Sequence, residues 1–259
     1  MRLMLLAVPL LLVLAACGQR SGGAAGGPAP DPLRGKTFLA TAVTEDGKPR
    51  TMVAELSIEF TEDGRLIAQA GCNMMQGQVD TTGGKIVVDS LATTEMGCDP
   101  ARHEQDAFVA KVLGGKPTWA LTDQKLTIQS GRTTFEMAPR EQVHPDRPLA
   151  GTTWQLDTIV DGHVASSMPA DAPVVTLTFD DAKVTAETHC NGISATYTVL
   201  GDTITFKLGM MTKMACAPEI MRGETAVVEA LQGKATYEIT ADKLTLTSES
   251  GKGIQLHAT

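Results

Sequence analysis

The sequence predicts a mainly β (α+β) protein of two tandem compact antiparallel β-barrel-like domains, each with one inserted helix. The first observation is a repeat, because Cys72 and Cys98 recur 118 positions later as Cys190 and Cys216. The second is that short apolar runs alternate with polar residues, which is typical of half-buried strands. The third is one stretch of helical periodicity after the second cysteine of each copy. One module used twice therefore organises the chain.

The repeat extends well beyond the cysteines, at the same offset. The matched pairs include Asn73/Asn191, Gly83/Gly201, Ile86/Ile204, Thr94/Thr212, Val109/Val227, Leu113/Leu231, Gly115/Gly233 and Lys116/Lys234. The offset predicts one domain over 33–138 and a second over 149–259. Each has a normal length for a domain with its own core. The polar segment 139–148 is bracketed by prolines and is predicted to be the linker.

The strands follow from period-2 alternation and turn residues, taken in chain order. Each domain opens with a strand, and Trp154, Leu156 and Thr158 alternate along the second copy of it. A hairpin follows around an Asp-Gly or Asp-Asp turn. The predicted strands are 36–43, 54–60, 65–70, 85–88, 118–121, 125–129 and 133–137 in the first domain, and 152–159, 174–179, 183–187, 203–206, 236–239, 243–247 and 253–257 in the second.

One helix is predicted in each domain, directly after its second cysteine. Asp99 and Pro100 have the residue types of an N-cap and a first helical position, and Pro218 opens the second helix. Glycines end both helices, at 114–115 in the first copy and at Gly233 in the second. The apolar stripes are Phe108, Val109, Val112 and Leu113 in the first helix, and Ala226, Val227, Ala230 and Leu231 in the second.

The N-terminus has the features of an export signal. Met1–Arg2 is followed by a short apolar run and by Leu14-Ala15-Ala16-Cys17, too short to span a bilayer. These four residues resemble the lipobox of bacterial lipoproteins, which implies removal of 1–16 and a diacylglycerol thioether and a palmitate-type acyl chain on Cys17. Gly18, rather than Asp, points to the outer membrane with the protein facing the periplasm. The alternative is an ordinary signal peptide with a chance cysteine.

Residues 17–32 are rich in Gly, Ala and Pro and are predicted to form a flexible tether. The full chain has 22 basic against 30 acidic side chains, a net charge of −8. Nothing in this balance favours nucleic acid as a partner. The predicted contact with a membrane is therefore through the lipid on Cys17.

Four cysteines remain once Cys17 is set aside, in a protein predicted to be exported to an oxidising compartment. Four cysteines allow three pairings. A module that was copied whole carries its own bridge, which selects Cys72–Cys98 and Cys190–Cys216. Each such bridge is expected to stabilise its domain by about 3 kcal/mol.

The motifs around these cysteines resemble the META domain, the HslJ-like heat-shock module of bacterial envelope proteins. The second copy carries Trp154, His189-Cys190-Asn191 and Thr212-Lys213-Met214-Ala215-Cys216. The first copy carries Asn73 and Met96 and departs at Phe38 and Gly97. The resemblance implies a β-barrel-like fold and an association with heat shock, envelope integrity and antibiotic tolerance. It implies no catalytic residues and no cofactor.

The sequence therefore predicts a non-enzymatic, lipid-anchored envelope protein that binds an unknown envelope protein or ligand in a stress-related role. An enzyme would have to rely on Cys190 activated by His189, and neighbouring side chains on a strand point to opposite faces. A second alternative is an inhibitor that uses a barrel edge or loop. Exposed edges at 125–129 and 243–247 are predicted as partner sites.

A soft-metal or small-ligand binder is the other alternative. Methionines and cysteines crowd equivalent regions, and thioether with thiolate is what Cu(I) prefers. The competing interpretation makes these methionines core fillers against the disulfides. Oxidised cysteines supply no thiolate, so the metal and the disulfide hypotheses compete for the same atoms. The residues concerned are Met74, Met75, Met96 and Cys98 in the first copy and Met210, Met211, Met214 and Cys216 in the second.

Overall fold

The computed structural model describes residues 31–259, apart from the side chain of Glu219. The predicted signal segment 1–16, the predicted lipidation site Cys17 and all but the end of the predicted tether lie outside the described residues. Within them the fold is mainly β, as predicted, with a sheet of nine strands in each domain. Residues Arg34–Thr259 form one unit.

The elements lie close to the ranges that the alternation predicts. The first domain contains β1 Lys36–Glu45, β2 Lys48–Pro49, β3 Ser57–Phe60, β4 Arg65–Gln69, β5 Met74–Asp80, a 3₁₀ turn Thr82–Gly84, β6 Val87–Thr93, α1 Pro100–Gly114, β7 Thr118–Thr122, β8 Lys125–Ser130 and β9 Thr133–Pro139. The second part contains α2 Arg140–Val143, β10 Thr153–Asp161, β11 Val164–Ser167, β12 Thr176–Phe179, β13 Lys183–Glu187, β14 Gly192–Leu200, β15 Thr203–Met211, α3 Pro218–Ala230, β16 Gly233–Thr240, β17 Lys243–Ser248 and β18 Lys252–Ala258.

The helix starts follow from local residues, and one predicted helix end is wrong. The Asp99 side chain accepts a hydrogen bond from the Arg102 amide at 3.1 Å, as an N-cap does. The helix α3 ends at Ala230, not at Gly233. Gly233 is instead the first residue of β16, with φ 68°, a left-handed conformation that glycine adopts without steric cost. It turns the chain from the helix back into the barrel.

The second domain is a closed barrel of eight antiparallel strands. The order runs β10-β12-β13-β14-β15-β16-β17-β18 and returns to β10, with β11 beside β10. The inward-facing side chains form one apolar core that includes Trp154, Phe179 and Leu231. The helix α3 packs against β18, β10 and β17. Closure leaves the eight barrel strands without a free edge along their paired lengths.

The first domain has the same strands but stops short of closure. Its order is β6-β5-β4-β3-β1-β9-β8-β7, with β2 beside β1, so β6 and β7 are edge strands. Within residues 31–259, a single isolated bridge joins the two sides, between Lys85 and Thr118. We call the gap between β6 and β7 the seam. The helix α1 packs against β6 and β8.

The ladder that closes the second barrel depends on the amide of Ala235. Ala235 lies opposite Ile204 in the pairing of β15 with β16. Two residues further along, the Tyr237 amide donates to the Asp202 carbonyl at 2.8 Å. Because amides of one strand alternate in direction, the N–H of Ala235 also points at β15.

Pro117 occupies the corresponding position in the first domain, 118 residues before Ala235. Its carbonyl accepts from the Ile86 amide at 2.8 Å. Proline has no N–H to donate in return, so it is confined to edges or irregular points of a sheet. Pro117 therefore cannot supply the Ile86 carbonyl with the donor that Ala235 supplies to Ile204, and β6 and β7 form no continuous ladder.

The predicted partner edges at 125–129 and 243–247 are wrong. The strand β8 lies between β7 and β9, and β17 lies between β16 and β18. Both strands therefore have partners on each side. The late Lys-Leu-Thr pattern is the pattern of an internal barrel strand, and the free edges of the first domain are β6 and β7 instead.

The predicted interdomain linker contains the one-turn helix α2 and is hydrogen bonded to both domains. Arg140 donates to Asp146 at 2.6 Å, which holds the pKa of that carboxyl below its ordinary value. Asp146 also accepts from the Ala241 amide at 2.7 Å. On the other side, His144 Nε2 lies 2.8 Å from Glu55 Oε1. No helix within residues 31–259 is both long and apolar enough to cross a bilayer.

Replacing Ala235 by Pro should lower the free energy of unfolding of the second domain by about 1–3 kcal/mol, because the Ile204 carbonyl loses its donor inside the barrel wall. Trp154, which is 0 % exposed, reports this unfolding in denaturant when Trp119 is replaced by Phe. The reverse change, Pro117→Ala, should slow amide exchange at the seam and leave the second domain unchanged. Equal stability of Ala235→Pro and wild type would contradict this account of closure.

Candidate functional site

Both predicted disulfides are present, and each connects the central hairpin to the start of the helix. Cys72 is bonded to Cys98 with a Cα–Cα distance of 6.1 Å, and Cys190 to Cys216 at 6.0 Å. The first cysteine of each pair follows β4 or β13, and the second precedes α1 or α3. The bridges therefore hold each helix against the strand end that it packs on.

The repeated asparagine holds the loop before the helix in both domains. Asn191 Oδ1 accepts from the Met214 amide at 2.8 Å and from Thr212 Oγ1 at 2.7 Å. Asn73 Oδ1 accepts in the same way from the Met96 amide at 2.8 Å. The ordinary role of an asparagine after a strand is a local one, in the turn. These asparagines instead connect two segments that are more than 20 residues apart in the chain.

Each asparagine amide group faces a buried carboxylate on the helix. Asn73 Nδ2 donates to Asp106 Oδ2 at 3.0 Å, and Asn191 Nδ2 lies 3.0 Å from both oxygens of Glu224. Asp106 is 5 % exposed and Glu224 is 4 % exposed. Sequence reasoning missed both acids. The sequence does carry a signal for them, because Asp106 and Glu224 are both acidic and are separated by the repeat offset of 118 residues.

Backbone and hydroxyl donors complete the environment of these carboxylates. Asp106 accepts from the amides of Cys72 at 3.2 Å and of Asn73 at 2.8 Å. Glu224 accepts from Thr188 Oγ1 at 2.9 Å. Buried carboxylates are tolerated only with such donors. We call Asn73 with Asp106, and Asn191 with Glu224, the Asn–carboxylate contacts.

The two domains differ at the residue before the first cysteine and in the length of the buried acid. A Cβ on Gly71 would lie 2.6 Å from the Arg102 carbonyl, so the absence of a side chain there lets α1 approach closely. The second domain carries His189 at the same position, with φ 63°. The helix of the first domain carries the shorter Asp106, and that of the second carries the longer Glu224.

The methionines near the disulfides are mostly not core fillers, which corrects that interpretation. Met96 and Met214 are each 58 % exposed, and Met210 is 82 % exposed. Among the methionines named for the first copy, Met75 is fully buried, with 0 % of its surface exposed. Met96 and Met214 are held through their backbone amides by the asparagines, so their side chains are free to face solvent.

The residues of the proposed Cys-His nucleophile do not form one. Cys190 is bonded to Cys216 and carries no thiol in this state. His189 has a left-handed backbone conformation at the turn after β13. The motif residue Trp154 is a core residue, 0 % exposed, whose Nε1 donates to the Leu149 carbonyl at 3.3 Å. The repeated motif residues therefore hold the fold together.

The side chain of His103 lies beside the disulfide of the first domain. One ligand atom each of Cys72, His103 and Asp106 lie within 4.8 Å of one another. His103 Nε2 accepts from the Cys98 amide at 3.2 Å. In the second domain the corresponding residue is Met221, whose Sδ lies 3.9 Å from Cys190 Sγ. The two copies thus present different donor atoms to equivalent bridges.

The comparison with known protein families identifies the same two copies. The family model described as META domain matches residues 31–142 and again 147–259. No curated protein matches the chain. One NMR structure is 25% identical, covering 41% of this chain and 90% of its own, with a TM-score of 0.35. An NMR structure of a protein from Burkholderia xenovorans is 22% identical, covering 43% of this chain and 83% of its own, also at 0.35.

Replacing Asn191 by Ala should lower the free energy of unfolding of the second domain by about 3 kcal/mol, because Glu224 and the Met214 amide both lose a partner away from water. Denaturant unfolding followed by Trp154 fluorescence measures the change. Thr198→Ala, on an exposed strand position, is the matched control and should shift stability little. A loss no larger than that of the control would mean that the contact is dispensable.

Removing the second disulfide by Cys190→Ser with Cys216→Ser should destabilise its own domain by about 3 kcal/mol, since the bridge closes a loop of moderate length. The first domain, monitored by Trp119 after Trp154→Phe, should keep its unfolding midpoint. Parallel loss of both transitions would show that the domains unfold as one unit.

Proposed function

The chain belongs to the META domain family, in two tandem copies, and from that membership we propose a non-enzymatic cell-envelope protein that binds another protein through the seam of its first barrel. The family is not a known enzymatic one. The motif residues of both copies are engaged in structural contacts, as described above. Binding rather than catalysis is the function that this arrangement suits.

The anchor and the location are part of the proposal. The supporting observation is the Leu14-Ala15-Ala16-Cys17 sequence ahead of a Gly-rich, Pro-rich stretch. Acylated Cys17 would hold the protein at the periplasmic side of the outer membrane, with 17–32 as its tether. The resemblance to heat-shock modules supports a role in the stress response or in envelope integrity.

The open seam is the observation that carries the binding function. β6 and β7 are edge strands, although the equivalent β15 and β16 pair with each other. By the repeat, the Trp119 amide faces Gly84 at the bridge, as the Tyr237 amide faces Asp202, and the Leu121 amide points the same way beyond the bridge. An edge with free amides and carbonyls can accept an added strand. The partner is therefore expected to contribute an extended peptide segment.

Site-specific photo-crosslinking tests this function in the acylated protein in native membranes. A crosslinker at Ala120, on the exposed side of β7, should capture a partner. The same crosslinker at Glu238, the equivalent exposed position of the closed barrel, is the matched control. Pro117→Ala should weaken capture, because it gives β7 a donor for its own β6.

The anchor has a separate readout in the same experiment. Cys17→Ala should release the protein from the membrane fraction and abolish capture of a membrane-bound partner, without changing the fold. Capture at Glu238 equal to that at Ala120, or capture unaffected by Pro117→Ala, would contradict binding at the seam.

A further inference from the structure

We propose that the first domain binds one zinc ion between Cys72, Cys98, His103 and Asp106 when its disulfide is reduced. The starting observation is the convergence of Cys72, His103 and Asp106, with ligand atoms within 4.8 Å of one another. Cys98 joins them through its bond to Cys72. Two thiolates, one imidazole and one carboxylate are ligand types that zinc accepts in a tetrahedral site.

The backbone needs little rearrangement to form this site. The Cα atoms of Cys72 and Cys98 are 6.1 Å apart. Two thiolates on a tetrahedral zinc ion lie about 3.8 Å apart, given zinc–sulfur bonds of about 2.3 Å. Side-chain rotation after cleavage of the disulfide is enough to separate the sulfurs by that amount. His103 lies on the first turn of α1, directly beside the Cys98 amide.

Asp106 can offer the carboxylate ligand of this site. It is 5 % exposed, and no basic side chain within residues 31–259 forms an ion pair with it. Its partners are amide donors, which leave the negative charge without a counter-charge. A bound cation would supply one, and Oδ1, with one hydrogen bond at 3.2 Å, has a lone pair to offer.

The chemistry makes the site dependent on redox state. In the oxidised protein the two sulfurs are bonded to each other and cannot act as thiolates. A dithiol reductant transfers two electrons and two protons to the disulfide, which gives two cysteine thiols and the disulfide of the reductant. Zinc then displaces both thiol protons and forms two zinc–sulfur bonds. Oxidation would reverse the binding.

The second domain serves as an internal control because it lacks the histidine. Met221 takes the place of His103, 3.9 Å from Cys190 Sγ. A thioether is a ligand for Cu(I) rather than for zinc. The first site also has an entry path, since Cys72 and Met96 line a surface cavity of about 330 Å³. Zinc binding is therefore expected in one domain only.

Metal titration of the full chain, reduced with a phosphine, tests the site with Co²⁺ as a spectroscopic probe and Zn²⁺ as competitor. The reduced protein should bind one tight equivalent with a thiolate-to-cobalt charge-transfer band, and the oxidised protein none. His103→Met should weaken affinity at least about tenfold, as loss of a metal-site interaction does. Met221→His should add a second equivalent.

Fluorescence of Trp119, in the same samples, separates binding from unfolding. If reduction unfolds the first domain, zinc should restore the folded signal in wild type and fail to do so in His103→Met. No tight binding by the reduced protein, or binding that His103→Met does not weaken, would overturn the proposal. Loss of the band in Cys190→Ser with Cys216→Ser would overturn it as well, by placing the site in the second domain.

Discussion

The Asn–carboxylate contacts are the interactions on which the rest of each domain depends. The side-chain oxygen of each asparagine accepts a hydrogen bond from an amide of the loop before the helix. The side-chain NH₂ group of the same asparagine donates to the buried carboxylate on the helix. The hairpin end, the loop and the helix therefore meet at a single residue. The neighbouring disulfide ties the same three segments covalently. Noncovalent and covalent restraints therefore act at one point, beside the apolar face through which the helix packs on the strands.

The two copies of this module differ in closure: one is a closed barrel and the other is open. The two share the disulfide, the asparagine and the buried acid, which are the features that hold the fold. They differ at Pro117 and Ala235, where one ladder donor decides closure, and at His103 and Met221, where the side chain faces the bridge. These two differences change an edge of the sheet and a donor atom beside the bridge. A closed barrel beside an open one provides a stable support for an exposed edge.

The same contacts explain why exposed methionines lie at equivalent places in both copies. The backbone amides of Met96 and Met214 are held by the asparagines, whereas their side chains face solvent. The position is therefore selected for its backbone, and the thioether remains available at the surface beside the sulfur bridge. This combination places the redox-sensitive atoms of each domain on one side, at the start of its helix.

The sequence by itself determined the elements and their covalent links, because those signals are local or duplicated. Alternation predicts the ranges of most strands but not those of β2, β5, β11 and β14. Asp99 and Pro100 predict the start of α1, and the offset of 118 residues identifies both disulfides. Only the tertiary structure decided which edges pair and which polar groups are buried. β6 and β7 form no continuous ladder, and Pro117, directly before β7, has no N–H to donate to the distant β6. The role of Asp106 and Glu224 depends on a helix packing over the end of a hairpin, a contact between segments whose own sequences do not specify each other.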